Sequence, residues 1–113
     1  MKNTNLKHEM TKREVDAGLK GLTRSFDVWK RNNEMGLVRY RCFEDCTSHQ
    51  FCVQSADFFQ KTVSVDRILE LEQQQIELLL KESPFSRSGS SPTIEEAIAA
   101  HDASFESSRL PER

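Results

Sequence analysis

The sequence predicts an α+β fold in which a three-stranded antiparallel β-meander packs against one long α-helix, with short N- and C-terminal helices. Three observations predict it. Apolar residues recur at every second position over 25–59, and at helical spacing over 63–82. The stretch 32–36, Asn-Asn-Glu-Met-Gly, contains residues that accept the positive φ of a tight turn. At 113 residues, the chain is also short enough to hold a single core.

The N-terminal helix is predicted to begin at Thr11. Residues 1–10 lack periodicity and are expected to be a disordered tail. Thr11 and Glu14 have the spacing of a capping box, in which each side chain bonds the backbone amide of the other. Apolar residues follow at helical spacing, although Gly18 and Gly21 each cost about 1 kcal/mol in a helix interior; these are Val15, Leu19, Leu22 and Phe26.

The three strands are predicted from alternation. The second strand, 37–44, places Val38, Tyr40 and Cys42 on one face, and the third strand, 50–58, follows a tip at 45–49. The opposite face carries Leu37, Arg39, Arg41 and Phe43. If one helix covers the first face, the second face stays open to another chain.

The long helix is predicted over 64–82. Ser64 can cap it, and Asp66 in the first turn interacts favourably with the helix dipole. Its apolar stripe is expected to pack on the sheet and consists of Val65, Ile68, Leu69, Leu71, Ile76, Leu78, Leu79 and Leu80. Residues 11–82 are therefore predicted to form a single domain.

The rest of the chain is predicted to be a linker, a helix and a tail. Residues 83–92 are rich in Ser, Pro and Gly, which is typical of an exposed linker. Thr93 and Glu96 repeat the capping-box spacing, so a helix over 93–106 is expected to dock on the domain. Residues 107–113 are polar and are expected to be a tail.

Charge is unevenly distributed. Residues 1–41 carry ten Lys/Arg and five Asp/Glu, whereas residues 42–113 carry six and thirteen. The basic half admits nucleic-acid binding as an alternative function. The residues for phosphate contact would be Lys20, Arg24, Lys30, Arg31, Arg39 and Arg41. No apolar run could span a bilayer and no secretory signal is visible, so a cytoplasmic location with free thiols is expected.

Four residues with metal-binding side chains fall within eleven positions: Cys42, Cys46, His49 and Cys52. They could form a structural zinc site if Cys42 and Cys52 pair across a hairpin. A one-residue slip would send Cys52 to the opposite face. Because Cys46 also lacks the usual Cys-x2-Cys spacing, we interpret the cysteines of the strands as core residues and predict no metal or cofactor.

No catalytic residue is predicted. His101 and Asp102 are adjacent on a helix, where neighbours do not face each other. His8 and Glu9 begin a zincin pattern, but Lys12 occupies the position of its second histidine. The chain has no recognisable nucleophile motif or phosphate-binding glycine loop. The sequence therefore does not indicate an enzyme.

The expected function is that of a small cytosolic protein-interaction or regulatory domain, including a possible homodimer. The residues predicted to contact a partner are Trp29, Lys30, Arg39 and Arg41, because guanidinium groups beside aromatic rings can grip an acidic peptide or stack on bases. The other interpretation is that these basic side chains cover apolar neighbours on a solvated sheet face and pair with carboxylates such as Asp57. The alternative is a nucleic-acid-binding protein that uses the basic N-terminal half and in which the zinc hairpin would be structural.

Overall fold

The computed structural model describes residues 11–32 and 36–109, with the side chains of 15–17, 19 and 105–109 excepted. It confirms the predicted α+β class, a three-stranded antiparallel sheet with helices. The predicted tail at 1–10 and residues 110–113 lie outside the described residues. The elements in chain order are α1 (Lys12–Leu19), β1 (Thr23–Asn32), β2 (Gly36–Asp45), β3 (Phe51–Phe59), α2 (Val65–Lys81), α3 (Pro84–Ser88) and α4 (Ile94–Arg109).

α1 begins where the capping box predicted. The Thr11 amide donates to Glu14 Oε1 at 2.9 Å, and the Glu14 amide donates to Thr11 Oγ1 at 3.1 Å. The helical spacing of apolar residues extends to Phe26, but Phe26 belongs to β1, as the alternation from Ser25 predicted. The helix ends at Leu19, because Gly21 takes a φ of 84° and turns the chain into β1.

The sheet has the strand order β1-β2-β3. Tyr40 in β2 pairs with Val28 on one side, and Phe43 pairs with Cys52 on the other. The β2–β3 register shifts between Arg41 and Cys42, because Gln54 is an extra residue in β3. This bulge decides which β3 side chains lie on each face.

The apolar core lies between the sheet and α4. Its buried residues are Val38, Tyr40, Cys42 and Val53 from the strands and Ala97 from α4. We call this side of the sheet the α4 face. Partly buried apolar side chains surround the core and come from Phe26, Val28, Phe51, Ala56, Ile94 and Ile98.

The opposite side, the α2 face, is covered by α2. Ser64 caps this helix by accepting from the Arg67 amide at 3.3 Å, and Leu71 and Gln75 are its buried residues. The expectation that one sheet face would be open is therefore wrong. Two helices cover the two faces, since α4 takes the place that the sequence assigned to the long helix.

The segment predicted as a linker contains α3. Ser83 caps it by accepting from the Phe85 amide, Pro84 occupies its first turn, and Gly89 follows it with a φ of 80°. Serine, proline and glycine act here as helix-terminal residues. Phe51 and Ser91 then exchange two backbone hydrogen bonds of 2.8 Å, which fasten this segment to β3.

Candidate functional site

Ion pairs occupy the α2 face of the sheet. Arg39 Nη2 lies 3.0 Å from Asp57 Oδ2, and its Nη1 lies 3.5 Å from Glu72 Oε2. Arg41 contacts Asp27 at 2.7 Å and the same Glu72 oxygen at 2.8 Å. Glu72 belongs to α2, so these two arginines attach the helix to the sheet. Both were predicted to contact a partner, but their guanidinium groups are engaged inside the fold.

Two of the predicted contact residues, Trp29 and Lys30, remain accessible. Trp29 is 51% exposed, and its indole packs on Phe59 with the rings tilted by 38° and the centroids 6.0 Å apart; the Arg39 guanidinium lies 5.9 Å from the indole centroid. Lys30 is exposed on the opposite face of β1, because neighbouring strand residues alternate. The two residues therefore do not share a surface.

A shallow apolar groove of about 180 Å³ lies beside Trp29. It runs between the sheet and the first turns of α2, and Val63 at its rim is half exposed. The remaining lining residues are Leu37, Arg39, Phe59 and Ile68. The groove therefore extends the accessible apolar surface from the sheet to α2.

The largest accessible apolar feature is on α2 itself. Five large side chains are exposed along one side of the helix, and we call them the outer stripe: Val65, Leu69, Ile76, Leu79 and Leu80. Their exposure reaches 81% at Leu80 and 69% at Val65. A soluble helix normally turns such a stripe towards a core, so this one is unpartnered within the described residues.

The sequence contained a signal for the outer stripe that its interpretation missed. At about 100° per residue, the apolar positions of α2 span roughly 200° of the helix circumference. One packing face cannot bury so wide an arc. The structure buries the side with Leu71 and Gln75 and leaves the other apolar side accessible.

The four residues of the zinc hypothesis do not come together. Cys42 pairs with Val53, while Cys52 pairs with Phe43, so the two strand cysteines face opposite sides of the sheet. His49 lies at the hairpin tip with a φ of 58°, and its Nδ1 is 3.1 Å from Glu44 Oε2. Among the described residues, no three His, Cys, Asp or Glu side chains are grouped to hold a metal ion.

The thiols of Cys42 and Cys52 have low reactivity because they stay protonated at neutral pH. Burial raises the pKa of Cys42 to about 12 and that of Cys52 to about 11. Thiolate is the nucleophilic and metal-binding form of cysteine, so neither thiol is activated near pH 7.

His101 and Asp102 both contact Tyr40, which links α4 to the sheet. The Tyr40 hydroxyl lies 3.1 and 3.2 Å from the two Asp102 carboxylate oxygens, and the His101 ring stands edge-on to the Tyr40 ring at 6.1 Å. Burial, and then the Asp102 hydrogen bond, raises the pKa of Tyr40. With a raised pKa, the Tyr40 hydroxyl stays protonated at neutral pH and donates its hydrogen bond to Asp102, which connects β2 to α4.

Three of the six residues of the nucleic-acid alternative are engaged in ion pairs of the fold, and the other three, Lys20, Lys30 and Arg31, are exposed. Arg24 pairs with Glu44 at 2.6 Å, and Arg39 and Arg41 take part in the ion pairs under α2. Phosphate contacts require basic side chains that are free to reach the backbone of a nucleic acid. These contacts disfavour the alternative, which stays a prediction.

No helix among the described residues is long and apolar enough to cross a membrane. Comparison of the chain with protein-family models, curated proteins and solved structures finds no match. The accessible surfaces of the fold, above all the exposed apolar side chains of α2, therefore carry the functional information.

Proposed function

We propose that the protein is a protein-interaction domain that self-associates through the outer stripe of α2. The observation that carries the proposal is the exposure of Val65, Leu69, Ile76 and Leu80, each more than half accessible on one side of a single helix. Contiguous apolar patches of this kind mark protein-contact surfaces on soluble domains.

The size of the patch sets the strength of the association. Fully burying a Val, Leu or Ile side chain contributes roughly 1.5–3 kcal/mol, so covering these partly exposed residues is expected to contribute about 1 kcal/mol each. Two copies would gain roughly 10 kcal/mol from both stripes. The loss of translational and rotational freedom offsets about 4 kcal/mol, the low end of its range, which leaves roughly 6 kcal/mol. We therefore expect a dissociation constant of about 10–100 μM.

The spacing of the stripe is self-complementary. Val65 and Leu80 lie at equal distances from the point between positions 72 and 73, and so do Leu69 and Ile76. An antiparallel pair of α2 helices with a two-fold axis at that point places each Val65 against a Leu80 and each Leu69 against an Ile76. Such an isologous contact is the commonest type in homodimers.

One charged side chain near the two-fold axis, Glu72, is paired within its own copy. Within its own copy, Glu72 Oε2 lies 2.8 Å from Arg41 Nη2 and 3.5 Å from Arg39 Nη1. These contacts reduce the repulsion between two Glu72 side chains across the axis, although the cluster they belong to has one more carboxylate than guanidinium groups. A second copy is thus a suitable occupant of this surface.

Leu69→Asp tests whether the stripe mediates association. Sedimentation equilibrium of the wild type should show a monomer–dimer equilibrium, and the variant should be monomeric up to at least ten times the wild-type dissociation constant. The matched control is Gln74→Asp, which adds the same charge at an exposed α2 position outside the stripe. A wild type that stays monomeric at 200 μM, or equal dimerisation by Leu69→Asp and the wild type, would contradict the proposal.

Cysteine cross-linking tests the antiparallel arrangement, in a Cys46→Ser background that removes the more accessible native thiol. The two ends of the stripe are about 22 Å apart along the helix axis. A mixture of the Val65→Cys and Leu80→Cys proteins should form a disulfide-linked dimer, while each alone should not. Efficient self-linking of Val65→Cys would instead show that the dimer is parallel.

A further inference from the structure

We propose that a cavity between β3, α3 and α4 is a binding site for a phosphate-type oxyanion. The cavity has a volume of about 200 Å³, which is room for a small ion with its first waters. It lies away from the outer stripe, so the inference does not depend on self-association. The polar side chains that line it are Arg87, Ser88, Ser91, His101 and Ser104.

The incomplete hydrogen bonding of the Arg87 guanidinium is the observation that indicates an anion site. Arg87 Nη2 donates to the Leu78 carbonyl at 3.3 Å, at the C-terminal end of α2. Its Nη1 is buried and has no hydrogen-bond partner among the described residues. A buried donor without a partner is costly, and more so when it carries charge. An anion in the cavity would remove that cost.

The other partly buried arginines show what Arg87 lacks. Arg39 contacts both Asp57 and Glu72, and Arg41 contacts both Asp27 and Glu72. Arg87 has no carboxylate partner within the described part of the chain. Of these three arginines, Arg87 is therefore the one whose positive charge has no counter-charge among the described residues.

The lining of the cavity favours an anion over a cation. None of its described lining residues is acidic. Cys52 is also part of the wall, but burial raises the pKa of its thiol to about 11, so it is neutral at pH 7. Hydroxyl groups and a guanidinium group donate hydrogen bonds, and the oxygens of an oxyanion accept them.

The donors converge from two walls. Arg87, Ser88 and Ser91 lie on the α3 side, whereas His101 and Ser104 belong to α4. A tetrahedral oxyanion presents oxygens in several directions and can accept from both walls, but a carboxylate presents only two oxygens. The backbone bonds between Phe51 and Ser91 hold the α3 side against the sheet, which limits the reorganisation that binding requires.

An NMR titration tests the site at pH 7 and constant ionic strength, with sodium phosphate as the probe and sodium chloride as the background. We expect saturable amide shifts confined to residues near the cavity, including Ser88, Ser91 and Ser104. Sodium sulfate should give the same pattern. Sodium acetate should bind at least several-fold more weakly, and equal affinity for acetate would overturn the tetrahedral assignment.

Arg87→Gln should weaken phosphate binding by about ten-fold or more, because it removes a charge-assisted contact. Arg31→Gln is the matched control, since it removes the same charge from an exposed strand position, and it should bind like the wild type. If Arg87→Gln fails to fold, Ser104→Ala should still weaken binding by about two- to five-fold. Absence of saturable shifts in the wild type, or unchanged affinity in the folded Arg87→Gln protein, would overturn the proposal.

Discussion

The two faces of the sheet are held by different chemistry. The α4 face is packed from apolar side chains around Val38 and Val53, and its polar contact to α4 is the Tyr40–Asp102 hydrogen bond. The α2 face carries two arginines and the amide of Gln54 under its helix. One helix is therefore attached mainly by apolar burial and the other largely by ion pairs and amides.

This difference explains why α2 has a free apolar side. Glu72 and Gln75 are turned towards the sheet because Arg41 and Gln54 there require partners. The helix then leaves its apolar outer stripe, including Leu69 and Ile76, accessible beside Glu72. The polar chemistry of one sheet face thus leaves available the surface that we propose for association.

Among the substitutions that test this difference between the faces, Arg39→Met should lower the free energy of unfolding most, because it removes the charge at the centre of the α2 face. Asp57 would be left as a buried carboxylate without its partner, and the Arg39 and Asp57 side chains are 8% and 9% exposed. The free energy of unfolding should fall by about 3–5 kcal/mol. Urea denaturation followed by circular dichroism measures it.

Two further variants sharpen that result. Arg39→Met/Asp57→Leu removes both charges and should recover most of the lost stability, to within about 1 kcal/mol of the wild type. Arg31→Met changes an exposed arginine on β1 and should cost less than about 0.5 kcal/mol. If the single Arg39 variant is as stable as the Arg31 control, the α2 face does not depend on its ion pair.

Alkaline pH probes both faces, because one buried thiol lies on each. The pKa is raised to about 12 for Cys42 and about 11 for Cys52, whereas the ordinary value is 9.0. Above pH 9 the unfolded chain releases protons that the folded chain retains. The stabilisation is therefore complete below pH 9 and is lost as the pH rises towards 11–12.

Between pH 8.5 and 10, the free energy of unfolding should fall by about 2 kcal/mol from these two thiols together. Chemical denaturation across this range measures the slope. Cys42→Ala and Cys52→Ala should each make the decline shallower, by about the same amount over this range. A slope that the double variant leaves unchanged would show that other groups cause the alkaline loss.

Local patterns predicted the elements, because capping, turns and periodicity are local properties of the chain. The Thr11–Glu14 capping box and the Ser64 cap form as expected, and the alternation in β2 separates Tyr40 from Arg39 and Arg41. The assignment of helices to faces failed. It depends on long-range pairing, for which a count of apolar residues on α2 is insufficient.

The sites were harder to predict than the fold, for similar reasons. The bulge at Gln54 sends Cys42 and Cys52 to opposite faces, and no residue type in the sequence announces a bulge. Arg87 lies in a segment that composition alone indicated to be a linker, so nothing suggested that its guanidinium would be drawn into a cavity. The width of the apolar arc on α2 was the one available signal.

Gln75→Leu should give the smallest effect and tests the uncharged polar contacts of the α2 face. Gln54 Nε2 donates to Gln75 Oε1, and Gln75 Nε2 donates to Ser55 Oγ at 2.7 Å. The substitution leaves the buried Gln54 amide without its acceptor, which should cost about 1–2 kcal/mol in urea denaturation. The exposed substitution Gln74→Leu is the control and should change stability by less than about 0.5 kcal/mol.

The double variant Gln54→Leu/Gln75→Leu decides what this amide pair contributes. When both partners are replaced by apolar groups of similar shape, no unsatisfied donor remains, and stability should return to the wild-type value or exceed it. At the positions of these two residues, the α2 face would then be held by apolar packing, as the α4 face is. A double variant that is less stable than Gln75→Leu alone would mean that the amides set the position of α2 on the bulge, and that apolar packing cannot replace them.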